Sequence, residues 1–550
     1  MKVKGVIKVF CVFLSAVPLI VSAQEGEEKG TLRGDLMVNS AFYIDDPRLG
    51  QFGTNTTQYK NQLSSAEAWM FLNYNVKGYD FNLRYDLFHN SPLLNPVEAY
   101  TAQGMPFFNM SKEIEDLKIT VGSFYDQFGS GILFRAYEDR VIGLDFAMTG
   151  VKLEYIIKDK ITLKAFTGKQ KNRFALNPQV VQGINMEGGL FGEKVSFTYG
   201  FSAVKRTLDF NIDIRDRLAP AINSMKLDNR FVPRSNVYGG QVYGALDIGN
   251  FGLTVDLAAK TPEATFDFNQ NLINEMGTYA QATLTYSTKG LGITLQGRYL
   301  ENFSMRTDPY TALSPVFVGT VGFLTPVNRQ NTYRLPARYS PNVQEVGEIG
   351  LQGDISYAIN RSNVFNVNYS YIYSPHIIDE TLYRELFITY QRKFSKTVKG
   401  TFGFQTIYYN QKVYEGKAPS TPNVQTNTPF VELLVKLPKR RAIRTELQYL
   451  QTDEDLGDFA WALVEYTIGS KYSITLSDMV NTAPREDTRN PNVEPGELVH
   501  YPTVFLAYTY KQTRFTAGYI KQVEGIVCNG GVCRLEPAFS GVRFGLTTNF

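Results

Sequence analysis

The side chains best suited to chemistry in this 550-residue sequence are few and scattered. There are three histidines, His89, His376 and His500. A hydrolase built in a barrel pairs His with Ser or an acidic partner, but no nucleophile, base and orienting group stand here at recognisable spacing. The histidines read as polar residues at strand ends, and no enzyme is implied. No His/Cys cluster has metal-ligand spacing, so neither a metal nor another cofactor is implied. Cys528 and Cys533 bracket Asn529-Gly530-Gly531-Val532. In an exported chain such a pair is expected to close a loop tip as a disulfide, with two free thiols as the alternative.

Two segments concentrate charge. Between Val121 and Asp145, Arg135 and Arg140 stand among Asp126, Glu138, Asp139 and Asp145, with glycines that let the backbone bend. Facing a lumen, these charges would form a constriction that sets selectivity. The alternative is a salt-bridged network bracing an irregular strand, because buried charges need partners in either case. The second segment, 303–344, is a loop of about 40 residues, a length typical of functional or disordered loops. In it Arg329, Arg334 and Arg338 are interleaved with Phe317, Phe323, Leu324, Tyr333, Leu335 and Tyr339. Exposed aromatics invite burial, so this loop is expected to fold into a lumen or cap it, a mobile surface loop being the alternative.

The elements that must position these residues read as strands. The first 23 residues stand apart as a signal peptide: Lys2, Lys4 and Lys8, an apolar run from Val9 to Val21, then Val21-Ser22-Ala23. From residue 24 onward no apolar run reaches about 18 residues, so no transmembrane helix is available. The chain alternates in polarity instead. Leu386, Ile388 and Tyr390 share one face of a segment, and Glu385, Thr389 and Gln391 share the other. About 23 such segments follow one another, the signature of a transmembrane barrel. Tight turns such as Lys77-Gly78, Lys158-Asp159, Lys289-Gly290 and Lys511-Gln512 alternate with long polar loops, among them 45–65, 90–114, 206–235 and 303–344.

The fold class expected is all-β: one large antiparallel transmembrane β-barrel over 24–550, with short periplasmic turns and long external loops. Both termini should lie on one side, which requires an even number, about 22–24 strands. The parity fails between 124 and 147, so either Gly131 to Glu138 adds a strand or a neighbouring segment does not span. The last residues alternate again, with Val542, Phe544, Leu546, Thr548 and Phe550 on one face. A final amphipathic strand ending in Phe550 resembles the signal read by the barrel-assembly machinery. The net charge is +3 with no basic block, which argues against nucleic-acid binding.

One stretch carries a resemblance. Gly122, Phe124, Gln127, Phe128, Gly129 and Gly131, followed by Arg135, Tyr137, Glu138, Arg140, Gly143 and Asp145, resemble a family of Bacteroidota outer-membrane barrels of uncharacterised function, a porin-like domain of unknown function. Gly168-Lys169-Gln170, Tyr333-Arg334-Leu335-Pro336-Ala337 and Gly347-Glu348-Ile349-Gly350 resemble it too. The resemblance implies a single barrel in the cell outer membrane, and implies no catalytic residue or substrate. The expected partners are outer-membrane lipid, the assembly machinery, and a further outer-membrane protein or lipoprotein.

Strands begin near residue 30, leaving no room for a separate N-terminal plug, so energy-coupled transport is disfavoured. Two expectations follow: a passive channel or substrate-selective porin narrowed by its loops, or a structural or assembly component of a secretion, motility or surface-export complex.

Overall fold

A computed structural model describes residues 30–49, 62–94, 99–267, 271–309, 319–375, 380–486, 490–529, 532–536 and 538–550. Twenty-four long strands form one sheet. They are β1 (Thr31–Tyr43), β2 (Ser64–Val76), β3 (Tyr79–Ser91), β4 (Tyr100–Ile114), β5 (Leu117–Phe124), β6 (Met148–Ile157), β7 (Ile161–Asn172) and β8 (Ala175–Phe191). Next come β9 (Val195–Thr207), β10 (Asn236–Ile248), β11 (Phe251–Phe266), β12 (Leu272–Thr288), β13 (Leu291–Glu301), β14 (Gly347–Asn360), β15 (Asn363–Ser374) and β16 (Glu380–Lys393). The last are β17 (Val398–Tyr409), β18 (Val424–Leu437), β19 (Arg441–Leu450), β20 (Gly457–Ile468), β21 (Tyr472–Pro484), β22 (Val499–Tyr510), β23 (Thr513–Gln522) and β24 (Phe539–Asn549). Each pairs with the next in sequence, and β24 returns to β1, with Asp35 opposite Asn549 and Tyr43 opposite Gly541. The sheet is therefore a closed antiparallel barrel without a free edge.

Chain connectivity sorts the two rims. One rim carries two- to four-residue turns, most of which place a residue in the left-handed conformation, as at Lys77 and Gly78 (φ 51° and 72°) or Lys439 and Arg440 (φ 60° and 55°). That geometry matches the twist of a hairpin. Thr31 and Asn549 both sit at this rim, as the even strand count requires. The other rim carries the long connections.

The parity problem resolves at β4, which the sequence places in a loop spanning 90–114. Gly131 to Glu138 adds no barrel strand. The alternation of β4 is broken by a bulge: Tyr85 of β3 faces the two residues Met105 and Pro106, since Arg84 pairs with Phe107 and Asp86 with Gly104. The extra residue flips the phase, so Met105 and Phe108 both face outward. Pro106, which has no N–H for a ladder, occupies the bulge, where that donor is not needed.

The outer wall is apolar and exposed. On β6, Val151, Leu153 and Tyr155 point outward while Lys152 and Glu154 point in. Ile184, Met186, Phe201, Leu253, Leu257, Leu351, Ile355, Leu476, Leu506 and Phe544 extend the outward set around the barrel. Water-soluble proteins rarely expose contiguous apolar patches beyond a few hundred Å². An apolar belt on a closed barrel is the surface that hydrocarbon covers. No helix among the described residues is long and apolar enough to cross a membrane.

Candidate functional site: an occupied lumen

Twenty-four strands at ordinary spacing and tilt give a circumference of about 150 Å, so a round barrel would hold a lumen far too wide for wall side chains to fill. Two connections from the long-loop rim fold into it.

The first runs from Tyr125 to Ala147, between β5 and β6. Gly129 and Gly131 take positive φ (51° and 88°), and the turn they make is closed by Gly131 N donating to Phe128 O at 2.8 Å and Phe128 N to Phe134 O at 3.1 Å. This delivers Phe128, Leu133 and Phe134, all buried, into a cluster with Phe124, Phe166, Val181 and Val204 of the wall. Phe134 stacks on Phe166 with ring centroids 4.2 Å apart. Two two-residue ladders, Asp126–Gln127 with Arg135–Ala136 and Glu138–Asp139 with Leu144–Asp145, give the segment its own backbone pairing.

Charge ties this segment to the wall. Arg84 of β3, almost wholly buried, donates to both oxygens of Asp86 (2.8 and 3.0 Å), to Glu138 at 2.9 Å, to the Tyr125 hydroxyl at 2.9 Å, and to Asp145. Lys171 of β7 pairs with Asp145 from the other side. Burial opposes the Asp145 charge, but Lys171 and Arg84 outweigh it and hold the carboxyl at about 2. Arg140 donates to Glu138 at 2.9 Å and lies 3.4 Å from Asp35. Asp126 pairs with Lys152 at 3.1 Å and Lys164 at 3.0 Å. Asp139 caps the turn after it by accepting from Val141 N at 3.0 Å. Arg135 lies over the Tyr137 and Phe323 rings, 4.7 and 4.1 Å from their centroids. The six charged residues singled out in the sequence thus do not converge on one ring. They divide between a bracing network around Arg84, a separate pairing of Asp126 with two wall lysines, a turn cap and an aromatic cradle.

The second insertion is the β13–β14 connection, of which 302–309 and 319–346 are described; Phe317 lies outside the described residues. Its first part packs on the first insertion: Phe323 N donates to Gly131 O at 2.9 Å, and Arg135 N donates to Val321 O at 2.7 Å. A Cβ on Gly322 would collide with the Ile132 carbonyl, so this close approach needs a glycine. Its later part crosses to the opposite wall. Leu335 N donates to Gln448 Oε1 at 2.8 Å, Gln405 Nε2 to Pro336 O at 3.0 Å, and Asn331 Nδ2 to Glu385 at 2.8 Å. Leu335 and Tyr339 are buried against Tyr383, Tyr409, Leu450, Phe459 and Tyr501. Tyr339 donates to Asp455 at 2.9 Å, which also faces Arg338 (3.4 Å) and Lys417 (2.9 Å). Burial opposes ionisation of Asp455, but these two cations hold it below the usual carboxylate range. Arg329 lies over the Phe387 ring at 4.7 Å.

Between this later part and the wall lies a cavity of about 460 Å³, lined by 326–341 on one side and by residues of three other long-rim connections, with Met479 and Gln522 of the wall, on the other. Arg334 is exposed to it. Toward the tight-turn rim the inner wall is half-exposed and charged: Arg444 faces Glu465 at 3.0 Å and Glu432 at 3.7 Å, alongside Lys152, Glu154 and Lys164.

Sequence reasoning missed Arg84, Asp86, Lys171, Glu385 and Asp455. The signal available was phase: Arg84 and Asp86 are two apart on a strand, so both face the lumen. Their partners lie 54 and 61 residues away from Arg84, at Glu138 and Asp145, and only the fold brings them together.

The remaining candidates do not join the site. His500 pairs with Asp478 at 2.7 Å on an exposed rim, and His89 lies 3.3 Å from Asn90. His376 lies outside the described residues. No group of three or more metal-ligating side chains occurs among the described residues. The hairpin Gly525–Asn529 with Val532–Glu536 sets Cys528 opposite Cys533 in register; their side chains lie outside the described residues. At the seam, Phe550 and Gly34 exchange backbone hydrogen bonds of 2.9 and 2.8 Å, and Phe544 packs edge-on to Phe42. Leu546 stands opposite Val38.

Fold and lumen together define a large membrane-type β-barrel occupied by its own connections. The chain belongs to DUF6029, a family of unknown function whose profile matches residues 3–550. No curated protein matches it. Among solved structures it is similar to the P pilus usher (PapC) translocation pore, at 10% identity and a TM-score of 0.43 over 94% of this chain and 99% of that one. It is also similar to the siderophore receptor PirA from Acinetobacter baumannii (8%, 0.41, 96% and 81%) and to OpdK from Pseudomonas aeruginosa (10%, 0.34, 71% and 98%). At such scores these likenesses say nothing about what passes or binds.

Proposed function

We propose that the protein is a solute-selective channel of the outer membrane, with segments 125–147, 302–309 and 319–346 as the internal gate. The observation behind this reading is the division of the lumen. The tight-turn half is lined by half-exposed charges, Arg444, Glu432, Glu465, Lys152 and Lys164, as a wetted passage would be. The long-loop half is filled by two segments of the same chain, leaving a charged cavity beside one of them. Fixed charges around a narrowed path select by charge and width.

Current through a planar lipid bilayer tests the reading. Purified protein is expected to pass a small steady current. Replacing 326–341 with a short Gly/Ser linker should raise it about threefold or more, because the segment that crosses to the second wall is gone. No current from either form would overturn the channel. A closed barrel that co-purifies with another outer-membrane protein would then stand as an assembly or docking component.

A further inference from the structure

We propose that the 460 Å³ cavity beside the inserted loop binds a small polar organic anion, a carboxylate- or phosphate-bearing solute, through Arg334. This deepens the channel reading by naming the solute class of the gate.

Cavities of this size suit a small ligand. The charges around it are accounted for one by one. Asp455 is shared by Arg338 and Lys417, and Glu415 faces Lys417 at 3.0 Å. Glu536 faces Arg543 at 3.8 Å, and Glu524 is buried and engaged. Arg334 is different. It has no hydrogen bond or ion pair with any described residue, yet it lines the cavity and remains exposed to it. It extends from the inserted loop between Tyr333 and the buried Leu335, whose N–H is fixed by Gln448. The backbone that carries the guanidinium is thus anchored, while the charge feels Glu536 and Arg338 across the cavity but is bonded to neither.

A free guanidinium presents a planar fork of donors matched to a carboxylate or phosphate. Arg338 next to it is already committed to Asp455, so Arg334 is the group that an incoming anion meets. Gln330 and Thr332 on the same loop face the same cavity and offer neutral hydrogen-bonding groups, which suits a hydroxylated anion over a bare apolar acid.

The test is calorimetry on the whole protein in detergent micelles, at constant ionic strength, with glucuronate, glucose 6-phosphate and glucose as probes. The two anions are expected to bind saturably and glucose about tenfold or more weakly, the scale of one charge-assisted contact. The tighter of the two anions identifies the acidic group preferred. Arg334→Gln should erase the preference over glucose, and Arg334→Lys should retain part of it; both should keep the heat-modifiable gel shift of a folded barrel, since Arg334 holds no internal partner. Equal binding of anions and glucose by the unaltered protein, no binding of any probe, or a full preference in Arg334→Gln would each overturn the proposal. Binding is read without current, so loss of the site and loss of the channel are separate results.

Discussion

The two halves of the lumen differ in how completely they are closed. In the first half two inserted segments and the wall from β5 to β13 meet in one apolar cluster, with Phe128, Leu133, Phe134, Phe303 and Val321 at its centre and the buried Arg84 network at its edge. In the second half Leu335 and Tyr339 of one inserted segment join a second apolar cluster with Tyr383, Tyr409, Leu450 and Phe459, and the rest of the segment is held by polar groups: Gln405, Gln448, Glu385 and Asp455. A cavity remains beside it. Dense apolar packing with compensated buried charge makes a permanent wall. Hydrogen bonds worth about 1 kcal/mol each, next to open space, make a contact that can be exchanged. The comparison assigns the fixed part of the closure to 125–147 and the movable part to 326–341.

The largest effect should come from the fixed half. Arg84→Ala leaves Asp86, Glu138 and Asp145 without their shared cation and is expected to cost about 3–5 kcal/mol. Urea unfolding followed by gel migration measures it, and an unchanged midpoint would remove the distinction between the halves. Phe134→Ala deletes a ring stacked on Phe166 and should cost about 3 kcal/mol in the same assay. Gly322→Ala forces the two insertions apart where they touch, and should loosen 319–324 without moving 326–341; protease cleavage mapped by mass spectrometry would show which part yields. Tyr339→Phe removes one donor to Asp455 in the second half and should cost only about 1 kcal/mol, with a rise in bilayer current as the more sensitive sign.

Acid should act on the fixed half as well. Asp145 is held at about 2, below the value of about 3.9 for a free aspartate. Its contribution is therefore complete above about pH 4 and is lost as the pH falls toward 2. Proteolysis of 125–147 should be flat from pH 7 to about 4 and rise below that. In Asp145→Asn the acid-dependent rise should shrink; a full-sized rise in that variant would assign the acid sensitivity elsewhere.

Much of the barrel was legible in the residues. Alternation located strands as different as β1 and β23, and the Gly-, Asn- and Lys-rich turns marked one rim. β4 was not legible, because a bulge at Met105 and Pro106 breaks the two-residue period that a reader follows. Of the site, the charged run Asp126 to Asp145 and the arginines of the long loop were visible as concentrations of charge. What each charge meets was not: Arg135 meets rings, Glu138 meets Arg84, and Arg334 meets open space. A pairing across 54 residues leaves no local pattern.

The sequence by itself determined the wall. A period of two sends apolar side chains one way and polar ones the other, and turn residues of a few kinds reverse the chain, both local matters of stereochemistry. Only the tertiary structure decided what fills the barrel. Which loop enters, which strand receives it and which charge stays unpaired depend on contacts between residues far apart in the chain, and those exist only once the cylinder has closed.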